Sequence, residues 1–199
     1  MFDGLVLGFS IAAPVGPIGV LCVQRTLANG RLSGFVSGLG AASADAVYGA
    51  LVAFGITALS SALLDSQTAI RIGGGLLLLY LGVQAFRAEP ADRDDAPVDA
   101  QSLAADYAST FLLTITNPVT ILAFVSIFAG LGVGLSGDVG DAAVLVGGVF
   151  LGSALWWFVL STGVSLFRTR FTTEAMRLIN RFAGLVIVGF GVVVLWSVR

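Results

Sequence analysis

The sequence contains no histidine and no lysine, a single cysteine, and few charges of either sign. The lack of histidine removes the usual proton relay and the commonest transition-metal ligand. With Cys22 alone, neither a disulfide within the chain nor paired-thiol redox chemistry is available. No nucleophile–base pair, Walker loop or metal-ligand cluster occurs along the chain, so an enzyme is not indicated and no metal or other cofactor is called for. Ten basic residues against twelve acidic ones leave a net charge of −2, which offers no footprint for nucleic acid. Period-two alternation is also missing. Runs such as 76–80 and 183–195 are apolar on every face, which argues against an outer-membrane barrel.

What the chain does have is apolar length. It is 57% hydrophobic and 11% charged, with a mean hydropathy of +0.97, the composition of an integral membrane protein. Six apolar runs fall at roughly 4–24, 36–60, 69–86, 107–133, 142–165 and 178–197, each near the ~20 residues a helix needs to cross ~30 Å of hydrocarbon. The expected class is therefore an all-α integral membrane protein, multi-pass in a lipid bilayer, with six transmembrane helices. The start, Met1-Phe2-Asp3-Gly4, carries an acid where a secretory signal carries basic residues, so the first run is expected to stay as a helix.

All ten basic residues are arginine, and six helices place the loops alternately on two sides. One side collects Arg25, Arg31, Arg87, Arg93, Arg168, Arg170, Arg177 and Arg181; the other holds Arg71 and Arg199. The positive-inside rule makes the first side cytoplasmic and puts both termini outside. Arg71, at the outer end of the third helix, is read as snorkelling to the interface or as gating the pathway. The acidic stretch around Glu89-Pro90 to Ala96-Pro97 reads as a solvated linker. The expected organisation is a first three-helix repeat over 1–87, a cytoplasmic linker over 88–106, and a second three-helix repeat over 107–199.

Residues 40–55 align by hand onto 148–163 without a gap, setting Asp45 opposite Ser153 and Tyr48 opposite Trp156. Residues 71–82 fall on 180–191, with Gly75 opposite Gly184, and Pro17 falls on Pro118. Because each half has three spans, the second inserts upside down relative to the first, giving a 3+3 inverted repeat. The first and fourth helices are also broken, at Ala13-Pro14-Val15-Gly16-Pro17 and at Thr116-Asn117-Pro118. Each proline removes a backbone donor that hydrocarbon cannot replace, so the breaks sit inside protein or line a cavity.

Asp45 lies about twelve residues into the second helix, or ~18 Å, close to the bilayer midplane and to the depth of both breaks. It is the only acid this reading places inside a span. A carboxylate there faces the bundle interior with a partner or a proton. It either ties helices together or alternately holds a proton and a cationic substrate group. Pro14, Val15, Gly16 and Pro17 either kink the first helix or unwind it, freeing carbonyls for an ammonium and aiming the restarted helix's amides at a carboxylate. Asn117 and Pro118 offer the second half's equivalent. Tyr48, Trp156 and Trp157 either wall the cavity or pack against helices and lipid. Gly30, Gly34 and Gly38 run at four-residue spacing into the second helix, which suits close helix packing.

Pro14-x-Gly16-Pro17, Gly30-Arg31 followed by Gly34, Asp45, Asn117-Pro118, and Asn180-Arg181 with Gly184 and Gly191 form, in this order and spacing, a pattern that resembles the LysE/RhtB family of amino-acid exporters. The resemblance covers nearly the whole chain. It implies efflux of amino acids or close derivatives across the cytoplasmic (inner) membrane by a non-enzymatic translocator, driven by the proton-motive force and often as a homo-oligomer. Asp45 then becomes the substrate-binding and proton-coupling carboxylate of an antiporter. Related families in the superfamily export divalent metals, which is the alternative reading. A divalent cation prefers six or more oxygens, however, and Asp45 with Asn117 supplies few. With no second acid for a basic side chain, the lean is toward a neutral or small amino acid.

Overall fold

The computed structural model describes residues 1–13, 16–53, 67–88, 100–117, 120, 124, 139–168 and 172–198, and all that follows concerns those residues. They form seven helices and no strand: α1 (Phe2–Ala12), α2 (Pro17–Asn29), α3 (Arg31–Ala53), α4 (Gln67–Arg87), α5 (Ala100–Ile115), α6 (Val139–Arg168) and α7 (Thr173–Trp196). The first apolar run is broken as the prolines predict, with α1 and α2 inclined at 82°. Pro17 opens α2, where its missing N–H would have had no helical partner, and Gly16 before it is extended and makes no side-chain cap. Only Gly30 separates α2 from α3. Its φ of 100° lies in the region that favours glycine, and the chain reverses there in one residue.

Helices in lipid gain little from the hydrophobic effect, so close backbone packing and interhelical hydrogen bonds decide which of them associate. α1 lies on α6 glycine to glycine: a Cβ on Gly4 or Gly8 would strike the backbone of Leu145 or Val149, and one on Gly148 or Gly152 the backbone of α1. α4 lies on α7 in the same manner, with Gly75 beside Gly191 and Gly82 beside Gly184. α3 packs between α6 and α5, and α2 crosses α3 to reach α7 and α6. The expected packing of the glycines at the α2–α3 reversal holds, since Gly34 abuts Thr26 and Gly38 abuts Trp157.

α6 and α7 are each long and apolar enough to cross a membrane, and α1 with α2 make a third such stretch if taken as one bent span. α3 and α4 span 23 and 21 residues, long enough to cross, but glycine, serine and charged positions lower their hydropathy. In α3, Ser33, Ser37 and Asp45 are buried against protein, whereas Arg31 at its start is exposed. Of the acidic linker, residues 89–99 lie outside the described residues. Residues 100–106 are the first turns of α5. Asp45 is not the only buried acid among the described residues: Asp106 is 7% exposed, within a helix. Gln101, Ser102 and Asp106 itself dilute the hydropathy ahead of Tyr107, so the apolar run starts later than the helix does.

Candidate functional site

A cavity of about 320 Å³ opens where the broken segments meet. The first break contributes Gly16 and Pro17, and α3 contributes Asp45. The end of α5 adds Thr114, Thr116 and Asn117, and Thr120 follows. α5 stops with a tightened turn in which the Asn117 amide donates to the Thr114 carbonyl at 3.1 Å. Leu78, Leu113, Trp157 and Phe190 make the remaining wall largely apolar.

Asp45 is 3% exposed, and Ser153 of α6 donates a hydrogen bond of 2.7 Å to its Oδ2. Trp157 Nε1 donates in turn to Ser153 Oγ at 3.2 Å. The Trp157 ring faces the cavity while its N–H holds the serine that holds the carboxylate. Oδ1 of Asp45 receives no hydrogen bond among the described residues, and Asp45 lines the cavity. The arrangement presents one carboxylate, a few neutral hydroxyl and amide groups, and an uncapped helix start within a small apolar chamber. Such a chamber is suited to a small molecule bearing a positive group.

The expected site residues divide clearly. Asp45, Gly16, Pro17 and Asn117 share the cavity. Pro14, Val15 and Pro118 lie outside the described residues. Tyr48 is buried away from the lining, donating to the Ile115 carbonyl and packing on Phe124. Trp156 meets Phe9 edge to face at 5.3 Å, again off the lining, and its neighbour Trp157 takes the place expected of it. Ser153 was not anticipated as a partner of Asp45, although the alignment of the halves had set those two positions opposite one another.

A second polar group lies farther along α2. Arg25, 8% exposed, pairs through Nε with Asp106 Oδ1 at 3.1 Å. Its Nη1 donates to Ser37 at 3.0 Å and to Thr110 at 2.9 Å, and its Nη2 to Ser109 at 2.8 Å. Ser33 donates to Asp106 Oδ2 at 2.5 Å. The preceding residue, Gln24, donates to Asn180 of α7 at 3.1 Å, and Asn180 donates to the Ala88 carbonyl at 3.0 Å. The ends of α2, α4 and α7 thus meet on the arginine-rich side, and α2 is tied to α3, α5 and α7 by side-chain hydrogen bonds.

The chain is similar to known membrane proteins over most of its length. It is 27% identical over 191 residues to a Bacillus subtilis (strain 168) protein named "Putative amino acid efflux protein YcgF", covering 94% of this chain and 90% of that one. It is 33% identical over 172 residues to the Escherichia coli (strain K12) protein named "Uncharacterized membrane protein YahN", covering 83% and 75%. No solved structure matches. The family model described as LysE type translocator matches residues 9–197, taking in both helix breaks, Asp45 and the glycine-packed α4 and α7, and the chain belongs to that family.

Proposed function

We propose that this LysE-type translocator is a secondary carrier that exports an amino acid or close derivative across the inner membrane in exchange for protons. The observation that carries the reading is the single cavity in which Asp45 meets Gly16 and Pro17 from one break and Thr116 and Asn117 from the other. An amino acid bears both charges. Its ammonium is matched by the Asp45 carboxylate, and its carboxylate by the free amides at the uncapped start of α2. A proton arriving from outside neutralises Asp45 and releases the substrate outward; loss of that proton toward the cytoplasm restores the charge that recruits the next ammonium. The apolar wall and the lack of a second lining acid among the described residues favour a neutral side chain over a basic one. The likeness to a protein named for amino acid efflux supports the substrate class.

The same reading takes the chain as a 3+3 inverted repeat with six spans and both termini outside, its halves rocking about the midplane site. Three contacts support it, because each maps onto itself or onto another when the halves are exchanged. Asp45 and Ser153, equivalent positions, bond each other. Gly75 beside Gly191 exchanges with Gly184 beside Gly82. Arg71, donating to the Ser197 carbonyl at 3.0 Å, exchanges with Asn180 donating to the Ala88 carbonyl.

Proteoliposomes with an imposed pH gradient test the proposal. Wild-type protein drives amino-acid exchange uphill, and Asp45→Asn abolishes the coupling. Full proton-coupled exchange by the variant refutes the role of Asp45. Counterflow of manganese or cadmium with no response to amino acids replaces the carrier reading with metal export, and flux that no gradient drives uphill replaces it with a channel.

A further inference from the structure

We infer that the Arg25–Asp106 pair is a latch that seals the cavity toward the arginine-rich end of the molecule and parts whenever the site opens to that end. The inference rests on the reading of the chain as a carrier with its site at Asp45. Arg25 stands six residues beyond Gly19 on α2, and Asp106 seven residues before Leu113 on α5, so each lies about 10 Å along its helix from the cavity lining. Both helices run from the cavity toward that end, and the pair bridges them beneath it. α3 completes the closure through Ser33 and Ser37.

The chemistry of the pair is that of a switch. A buried ion pair adds little net stability over an apolar contact of the same shape, because removing two charges from water offsets their attraction. What it does supply is a sharp dependence on hydration. While the path is dry, the two charges attract strongly and each nitrogen of the guanidinium has an acceptor. Once the cavity opens to that side, water hydrates both groups, and separation no longer leaves a bare charge in a low dielectric. Dry and paired, or wet and apart, are thus both acceptable, whereas dry and apart is not.

Among the described residues, the other half of the molecule shows no such pair. The alignment that sets Pro17 on Pro118 places Leu5 at the position matching Asp106, and the one that sets Asp45 on Ser153 places Asp141 at the position matching Ser33. There α1 and α6 meet glycine to backbone, with Leu5 against Gly152. The latch belongs to one side of the carrier, which makes it a property of this chain's side chains rather than of the repeat.

A cysteine reporter in the cavity reads the latch without reference to any substrate. Thr116→Cys, in a chain with Cys22→Ala, is labelled in vesicles of either orientation by an impermeant, positively charged thiosulfonate. Arg25→Gln or Asp106→Asn raises the labelling rate at least about tenfold from the face carrying Arg31 and Arg177, with no change from the opposite face. Ser109→Ala, which removes one hydrogen bond, raises it about two- to threefold. The exchanged pair Arg25→Asp with Asp106→Arg returns it toward the starting value. A second arm bridges Arg25→Cys and Asp106→Cys with a short bifunctional thiosulfonate; transport stops and a reductant restores it. Unchanged labelling in Ser109→Ala and in whichever charge variants elute as monodisperse protein, or full transport by the bridged protein, overturns the latch. Failure of the wild type to move any amino acid overturns the carrier reading instead, and leaves the labelling result standing on its own.

Discussion

α1 and α2 come from one apolar run, yet they hold their neighbours by opposite chemistry. α1 presents Gly4 and Gly8 to Gly148 and Gly152 of α6, backbone against backbone, with no side-chain hydrogen bond to α6 among the described residues. α2 presents Gln24 and Arg25, which bond side chains on α3, α5 and α7. The first contact rests on close backbone packing with Phe9 edge to face on Trp156. The second depends on water, because its groups pair when dry and are hydrated when wet. A carrier that alternates its access needs elements of both kinds, one to keep a seam closed and one to respond to hydration.

The sharpest break in that contrast comes from removing one charge. Asp106→Ala should cost about 3–5 kcal/mol of stability by leaving Arg25 buried and unpaired, whereas Arg25→Met with Asp106→Leu should sit near the wild type. Thermal unfolding in detergent reads both, and equal losses in the two variants would remove the case for an ion pair kept for switching. On the glycine side, Gly4→Ala should cost about 1–3 kcal/mol by forcing its Cβ against the Leu145 carbonyl. Gly148→Ala should cost a similar amount, and the two together less than their sum, since one displacement of α1 accommodates both. Strict additivity would mean that the two glycines do not share an interface.

Smaller effects separate the cavity from its surroundings. Ser153→Ala removes the donor to Asp45 and should raise the half-saturating substrate concentration about tenfold, equivalent to ~1.4 kcal/mol, with rescue by Ser153→Thr. If threonine fails where serine works, the hydroxyl is not what positions the carboxylate. Tyr48→Phe should lower stability by about 1 kcal/mol through the lost bond to Ile115, while half-saturation stays unchanged because Tyr48 does not line the cavity. A shifted half-saturation would return Tyr48 to the binding site.

Much of the site was legible because it is written in unusual residues. Proline inside a long apolar run interrupts its helix, and one acid in an apolar helix has to face protein. The aromatic pair was less legible. Trp156 and Trp157 are adjacent on a helix that is apolar nearly all round, so periodicity offers no face to choose between them, and packing turned only Trp157 toward the cavity. By sequence Arg25 reads as a loop residue and Asp106 as part of the linker, since hydropathy registers a charge as an end of the membrane segment. It cannot register that two opposite charges 81 residues apart cancel each other inside the protein.

The sequence by itself determined that this chain is an apolar helical membrane protein, where its first helix breaks, and that Asp45 is buried. Those features follow from local composition and backbone chemistry, which no neighbour needs to supply. Only the tertiary structure decided that the two breaks and Asp45 share one cavity, that Ser153 and Trp157 hold the carboxylate, and that Arg25 finds Asp106. In an environment as apolar as the side chains themselves, hydrophobicity does not select partners, so that choice falls to backbone approach and to hydrogen bonds that exist only once the helices have met.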